Sequence, residues 1–196
     1  MPRPSDGVLL ARLRGRSRRP PASYRPGALL DRLGRDLTGY RLERLAPDRA
    51  RCLPVGQGPS FLAVERTERH AFMGVTTSAF RLDAGGPPGD ARIRLRHTGA
   101  VRRTGVIGAV ASGGGDAQRM LARLLDDPGF VAAATPLDCT AFTVFRDADG
   151  WHAEIALMGG AEVAMRLPPS RSYVRLSADQ RDALVATFAA VDRLLP

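Results

Sequence analysis

Residues 139–158, CTAFTVFRDADGWHAEIALM, decide the fold class, because they contain two apolar strand-like runs joined by a turn. Asp149-Gly150 lies between the two runs, and Asp-Gly between apolar strands is the strongest short signal for a β-hairpin. Asp147, Asp149 and Gly150 also resemble the start of a calcium loop, but the later oxygen ligands and the closing Glu do not follow. We therefore predict an antiparallel hairpin and no calcium site.

Both strands of this hairpin are apolar on their two faces. Because successive side chains of a strand point to opposite sides, Ile155 and Ala156 face opposite ways, as do Val144 and Phe145. A sheet that is covered on one side normally shows polar residues on the other. We therefore expect the second face to be covered by the N-terminal segment or by a second subunit, or to bind a small hydrophobic ligand.

Three further segments show the periodicity of amphipathic helices. The first begins at Ala28, with leucines at positions 30, 33 and 37, and stops before Gly39. The second begins at Asp116 as its N-cap and ends at Pro128-Gly129. The third has Ser177 as N-cap with Gln180 in a capping box. Its apolar stripe consists of Leu184, Phe188, Val191 and Leu195.

Strands are predicted on both sides of the first hairpin. The segment 91–97 forms a second hairpin with 101–111, and Gly159-Gly160 predicts a turn that joins the strand 151–158 to 161–167. Further strands are predicted at 40–45, 61–65, 71–82 and 173–176.

This order of helices and strands predicts an α+β two-layer sandwich, with a largely antiparallel, curved sheet and helices on one face. The pattern Leu-x-Arg-Leu-x-x-Asp at 30–36 recurs at 121–127, which suggests an internal repeat of two similar α-β-β-β-β halves. In its order of elements, such a chain resembles duplicated folds such as the TATA-box-binding type.

The charge of the chain is concentrated near its N-terminus. Residues 1–51 carry 13 Arg against five acidic residues, whereas 52–196 carry 16 Arg against 15. Residues 1–27 are rich in Pro and Arg, so we expect a flexible basic tail there and a single α+β domain over 28–196. All 29 basic residues are Arg, and Lys and Asn are absent, which is typical of a GC-rich, bacterial genome.

The cysteine count and the hydropathy pattern indicate the compartment. Cys52 and Cys139 are too few for a disulfide scaffold. No run approaches 18 apolar residues, and the short apolar run at 8–11 is broken by Arg12, so neither a membrane span nor a secretory leader is predicted. We expect a cytoplasmic protein.

The sharpest chemical feature is an arginine ladder in the stretch 91–96, ARIRLR. A period of two places its three arginines on one face of a strand, and the next strand adds a fourth to that face. Guanidinium groups so close together repel one another unless an anion or carboxylates separate them. We weigh a phosphate- or carboxylate-binding site against a solvated face. The candidate ligands of the anion are Arg92, Arg94, Arg96 and Arg103.

Other candidate site residues are the two histidines that open comparable strands, His70 and His152. The three histidines and two cysteines show no metal-ligand spacing, so no metal is assigned. Gly113–Gly115 matches neither a dinucleotide-binding fingerprint nor a P-loop, and Gly-x-Ser-x-Gly is absent. We therefore assign no cofactor and no catalytic residue.

We predict a non-catalytic binding module that uses the sheet face for a small hydrophobic or anionic ligand or for a partner subunit, such as a second copy in a homodimer. The alternative is a hydrolase or transferase that acts on an anionic substrate with a His base. A second alternative is weak, non-specific nucleic-acid binding through tail and ladder. The near-neutral body and the low aromatic content, 6%, speak against it.

Overall fold

Strands dominate the fold, as the short alternating segments predict. The structure is a computed structural model, and it describes residues 24–70, 72–99 and 103–195. Within these ranges the chain forms nine strands and four helices. The strands are β1 (Tyr40–Ala46), β2 (Arg49–Pro54), β3 (Phe61–Arg69), β4 (Met73–Gly85), β5 (Ala91–Thr98), β6 (Gly105–Ser112), β7 (Cys139–Asp147), β8 (Gly150–Arg166) and β9 (Pro169–Val174). The helices are α1 (Ala28–Asp36), α2 (Gly114–Asp126), α3 (Pro128–Ala134) and α4 (Ala178–Leu194).

All of these strands belong to one antiparallel sheet with β8 near its middle. The order is β1-β2-β3-β4-β8-β7-β5-β6, and β4 pairs along nearly the whole of one edge of the 17-residue β8. The other edge of β8 is shared, because β7 pairs with its first half and β9 with its second half. The hairpin at Asp149-Gly150 is confirmed, since Asp147 pairs with Gly150 across the turn.

The predicted turn at Gly159-Gly160 is wrong, because β8 runs through these residues without reversing. Its register with β4 jumps from Ala156 to Ala161, so four residues of β8 bulge out opposite Ser78. The Ser78 hydroxyl donates a hydrogen bond of 2.8 Å to the Gly160 carbonyl, and Gly160 has a φ of 71°. Pairing with β4 on both sides of the bulge keeps the chain extended where local sequence indicates a reversal.

The four helices pack on one face of the sheet, which confirms the α+β sandwich with helices on one face. In the core, the Phe188 ring of α4 lies 5.3 Å from that of Phe61 on β3. Helix α2 approaches β6 so closely that a Cβ at Gly108 would lie 2.3 Å from Leu121 Cδ1. The other side of the sheet carries no helix within the described ranges. We call it the open face, and its side chains include Leu62, Arg66, Arg81, Arg92, Arg94, Arg96, Phe145 and His152.

The C-terminal helix is confirmed, and its capping box is half correct. Ser177 Oγ accepts a hydrogen bond of 3.3 Å from the Gln180 backbone N–H. The Gln180 side chain does not turn back to the cap. It donates to the Pro136 carbonyl and accepts from the Asp138 backbone N–H, so it joins α4 to the start of β7.

Two helix ends differ from the prediction. Helix α2 begins after Gly113, and Asp116 lies inside its first turn, where it pairs with Arg119 and Arg146 rather than capping the helix. Pro128 does not end the helical region but begins α3. Proline is well suited to a first helical position because its missing N–H needs no partner there.

Helix α1 is held to the sheet at its N-terminus by a buried carboxylate. Glu65 of β3 accepts backbone hydrogen bonds of 3.0 Å from Gly27, Leu29 and Leu30, and one of 2.8 Å from the Tyr24 hydroxyl. These donors include N–H groups that a helix cannot satisfy itself, and a negative charge is favourable at this end of the helix dipole. Glu65 therefore fixes the position from which α1 runs across the sheet.

The remaining predictions on organisation have mixed outcomes. Residues 1–23 of the predicted tail lie outside the described residues, while Tyr24 and Gly27 at its end contact Glu65. The internal repeat stays a prediction. Six strands follow α1 and three follow α3, whereas each predicted half has four. None of the described helices has the length and apolar character that a bilayer crossing requires.

Candidate functional site

A second buried carboxylate lies at the opposite end of α1. The side chain of Asp36 is only 3% exposed. It accepts hydrogen bonds of 2.7 Å from the Tyr173 hydroxyl, 3.0 Å from the Leu176 backbone N–H and 3.2 Å from Arg175 Nη2. Burial of a carboxyl group is costly without such donors, so Asp36 joins the end of α1 to the chain leaving β9.

Asp36 forms the floor of a pocket of about 320 Å³ between α1 and β9. Three arginines border it together with Tyr173: Arg32 and Arg35 of α1, and Arg175 directly after β9. The guanidinium carbon of Arg32 lies 5.5 Å from the centre of the Tyr173 ring, which holds the two side chains together. The pocket therefore combines a flat aromatic wall with three planar cations.

The protonation of Tyr173 is biased by its surroundings. Burial raises the pKa of the Tyr173 phenol above its usual range, and the hydrogen bond to Asp36 and the charge of that carboxylate raise it further. The phenol therefore stays protonated at neutral pH and keeps its hydrogen bond to Asp36. It serves as a donor and a stacking surface rather than as a base.

The arginines of the pocket differ in how far they are already engaged. Arg32 Nη1 lies 3.2 Å from Glu162 Oε2, a contact that is ionic without being a hydrogen bond, since this buried oxygen accepts none. Arg175 contacts Asp36 but remains 80% exposed. Arg35 is exposed, and no described residue pairs with it. Arg35 and Arg175 thus keep N–H donors available to an anion.

The arginine ladder is placed as predicted on β5. Its burial alternates strictly, with Ile93 and Leu95 in the core and the three arginines exposed on the open face. The guanidinium carbon of Arg92 lies 5.2 Å from the centre of the Phe145 ring. Arg94 and Arg96 contact no charged or aromatic partner within the described ranges.

Arg103 does not extend this row. Strand β6 begins at Gly105, later than the predicted 101, so Arg103 lies in the loop before it. Its guanidinium bonds to the carboxylate of Asp138, just before β7. Of the four predicted anion ligands, Arg92, Arg94 and Arg96 form the row and Arg103 lies apart in an ion pair.

His152 lies on the open face but is almost completely covered. Its Nδ1 is 2.7 Å from Asp83 Oδ1, and its Nε2 is 2.8 Å from Asp147 Oδ1. The Phe145 ring lies 5.0 Å from the imidazole, and Arg81 Nη2 approaches it to 3.0 Å. A general base needs a free ring lone pair. Both ring nitrogens of His152 face carboxylates, so neither has a free lone pair. The contacts of His152 with Asp83 and Asp147 are those of a structural cluster.

The carboxylate of Asp147 is a stable member of this cluster. The backbone N–H of Asp149 and then the hydrogen bond with His152 hold the pKa of Asp147 below its usual range. The same N–H contact, 2.9 Å long, closes the turn between β7 and β8. The turn that decides the hairpin thus also orients a partner of His152.

His70 and His152 do not come together. His70 donates its backbone N–H to Met73 at the start of β4, whereas His152 pairs with Asp83 near its end. Ten residues of strand separate these ends, which is about 33 Å. His70 is exposed, with Nε2 3.9 Å from Glu68 Oε2. Within the described residues, no three or more His, Cys, Asp or Glu side chains are arranged so that they could hold a metal ion.

Sequence reasoning missed the pocket at Asp36. One signal was available, because the stretch Arg171-Ser-Tyr173-Val-Arg175 alternates with the same period of two as the ladder. A second signal is the position of Asp36 itself, since an acidic residue is unfavourable at the C-terminal end of a helix and needs a partner. Local sequence could not connect the two signals, because Asp36 and Tyr173 are separated by 137 positions.

Comparison with known proteins gives one match. The family described as "Protein of unknown function (DUF3156)" matches residues 35–195, a range that contains Arg35, Asp36, Tyr173 and Arg175 of the pocket and the whole ladder. No curated protein and no solved structure matches the chain significantly.

Proposed function

The chain belongs to the DUF3156 family, and we propose that it binds a small anionic ligand in the pocket between α1 and β9. One observation carries the proposal: three guanidinium groups converge on a pocket in which the carboxylate of Asp36 is already occupied by donors. Guanidinium groups present paired N–H donors that match the oxygens of phosphate and carboxylate. The chemical class of the ligand is therefore a phosphate- or carboxylate-bearing small molecule.

The size of the pocket supports a metabolite rather than a polymer. Small-molecule sites range over roughly 300–1,000 Å³, so a pocket of about 320 Å³ lies at the lower end. Tyr173 offers one flat apolar surface beside the cations, which suits a planar or short-chain group next to the anion. The pocket holds no nucleophile, and its carboxylate accepts several hydrogen bonds, so binding is better supported than turnover.

A thermal-shift screen tests the proposal. Phosphate, sulfate and small carboxylates are added at constant ionic strength, because general screening also changes the repulsion between arginines. A specific ligand stabilises the folded protein by about 2.7 kcal/mol at 100 times its dissociation constant. We expect Arg35→Gln to abolish this stabilisation and the matched ladder variant Arg94→Gln to keep it.

The reverse result would move the site to the ladder. If Arg94→Gln abolishes the stabilisation and Arg35→Gln leaves it intact, the anion binds on β5 and the pocket is not the site. If every anion stabilises the parent and the two variants to the same extent, or stabilises none of them, neither set of arginines binds small anions.

A second candidate is sequence-blind binding of nucleic-acid phosphates on the open face. Arg94 and Arg96 have no partner in the described part of the chain, and β1–β4 add further arginines to the same face. Phosphate contacts would give affinity without base recognition. Titration of a labelled oligonucleotide at several salt concentrations tests it: the affinity should collapse at moderate salt and fall further in the double variant Arg94→Gln/Arg96→Gln. Salt-resistant or absent binding would reject this candidate.

A further inference from the structure

The ends of β5 and β7 bring together a cysteine and a histidine that neither the pocket nor the open face uses. Cys139 Sγ lies 3.7 Å from His97 Nδ1, within hydrogen-bonding distance for sulfur. The two strands pair nearby, with Leu95 opposite Phe142. Both side chains are half-buried, so the sulfur is held in place and remains within reach of a small reagent.

The orientation of the His97 ring follows from its other nitrogen. His97 Nε2 lies 2.9 Å from the carbonyl oxygen of Ala134, the last residue of α3. A carbonyl oxygen only accepts, so Nε2 carries the hydrogen and Nδ1 presents its lone pair to Cys139. This is the arrangement required of an activated nucleophile: the base within reach of the thiol, and a third group that orients the base.

The charges around the pair are balanced. Arg103 and Asp138 form an ion pair next to Cys139; the arginine favours the thiolate and the aspartate opposes it. Burial is the larger influence and raises the pKa of the Cys139 thiol. The thiol is therefore protonated at neutral pH, and any nucleophilic reaction there requires that its proton be removed during the reaction.

We propose that Cys139 and His97 form a nucleophile–base pair and make Cys139 the reactive thiol of this protein toward carbon electrophiles. In the reaction, Sγ attacks the electrophilic carbon and forms the S–C bond. The bond from that carbon to its leaving group breaks, and the leaving group departs with the bonding electron pair. The thiol proton passes to His97 Nδ1 and later to water.

Iodoacetamide provides the test, with iodide as leaving group, and the second cysteine is an internal control. Cys52 is buried in the core, and burial raises its pKa to about 12. Labelling at pH 7, followed by mass spectrometry of the two cysteine-containing peptides, should show modification of Cys139 while Cys52 remains unmodified in the folded protein. Equal labelling of the two cysteines in the folded parent would overturn the proposal.

The variant His97→Gln tests whether His97 acts as the base for Cys139 or is only a structural neighbour of it. General-base catalysis contributes about 100-fold or more, so the rate of Cys139 labelling should fall at least 10-fold. The matched control is His70→Gln, which removes an exposed histidine from another hairpin and should leave the rate unchanged. Arg103→Gln tests electrostatics and should change the rate less than His97→Gln. An unchanged rate in folded His97→Gln would show that His97 is not the base.

A pH–rate profile of the unaltered protein decides the matter if the His97 variant does not fold. Free cysteine titrates near 8.5, and burial raises the pKa of Cys139 above its ordinary value. Without a base, the Cys139 thiol should therefore lose reactivity while the pH is still above 8.5, because the fraction of thiolate falls there. The pair predicts that Cys139 labelling persists at pH 7, and a profile that has fallen to the Cys52 level by pH 8 would contradict it.

Discussion

Helix α1 has a buried carboxylate at each end, and the two carboxylates serve different purposes. At the N-terminal end, Glu65 is satisfied by backbone N–H groups and by Tyr24. At the C-terminal end, Asp36 is satisfied mainly by Tyr173 and Arg175, whose side chains border a pocket. A carboxylate with backbone donors fixes the fold, whereas one with side-chain donors also positions groups that can bind a ligand. Five experiments can separate these two roles.

The largest effect should come from Glu65→Gln. Glutamine keeps one acceptor oxygen and presents an NH₂ group to donors that need an acceptor. Two of the four donors therefore lose their acceptor, either Leu29 and Leu30 or Gly27 and Tyr24. Each unsatisfied donor costs about 1–3 kcal/mol, so we expect a loss of about 2–4 kcal/mol in the free energy of unfolding. Urea denaturation monitored by circular dichroism measures it. A loss below about 1 kcal/mol would mean that Glu65 does not anchor α1.

Asp36→Asn should cost less, about 1–2 kcal/mol in the same measurement, because the amide oxygen still accepts from Leu176 and the exposed Arg175 regains water. The oxygen that accepts from Leu176 also accepts from Tyr173, so only Arg175 loses its acceptor, and the distinctive effect should appear in ligand binding through Arg175. If Asp36→Asn destabilises the protein more than Glu65→Gln, the assignment of roles to the two ends is reversed.

Tyr24 and Tyr173 form a matched pair of substitutions for which we expect a smaller loss of stability. Tyr24→Phe and Tyr173→Phe each remove one hydrogen bond to a buried carboxylate and should each cost about 0.5–1.5 kcal/mol. Only Tyr173→Phe should weaken anion-dependent stabilisation in the thermal-shift assay. Equal loss of that stabilisation in both variants would indicate a general change in the fold rather than a pocket contact.

The same tyrosines predict a pH dependence. The folded state raises the pKa of both phenols above the usual value of about 10, through burial and their carboxylate partners. Above pH 10 the unfolded chain loses these protons before the folded chain does, so the stability that they contribute is complete below pH 10 and declines as the pH rises further. Thermal melts between pH 9 and 11 should show a decline that is shallower in Tyr173→Phe.

The smallest effect on stability should come from Arg35→Gln, which we expect to stay within about 0.5 kcal/mol because Arg35 is exposed and unpaired in the described part of the chain. A substantial loss of stability would show that Arg35 has a structural partner, and its use as a binding probe would fail.

Features that depend on neighbouring residues could be predicted from the sequence. The strict alternation in β5, the Asp149-Gly150 turn and the Phe188 stripe of α4 are each determined by local periodicity, and the structure confirms them. The short strand β2 was missed, because its alternation pairs arginines with Ala50 and Cys52 rather than with large apolar residues. Pro128 ends the predicted second helix but begins α3 in the structure, because a proline is compatible with the end of one helix and with the start of the next.

Features that depend on distant residues could not be predicted. Gly159-Gly160 has the composition of a turn, and only β4 beside it makes it a bulge. The pocket needs α1 and β9, and the thiol site needs β5 and β7, so both arise from the order of strands in the sheet. The arginine ladder could be predicted because it lies within one strand. That it can be predicted does not make it a better candidate for the binding site than the pocket.

The position of β8 has a consequence for how the chain folds during synthesis. Strands β1 to β4 pair in sequence and can form as soon as they leave the ribosome, because their contacts are local. The other edge of β4 then stays unpaired until residues 151–165 are synthesised, more than sixty positions later. An unpaired edge is a site for wrong pairing and aggregation. We therefore expect a nascent chain stopped before β8 to need chaperone protection that the full chain does not.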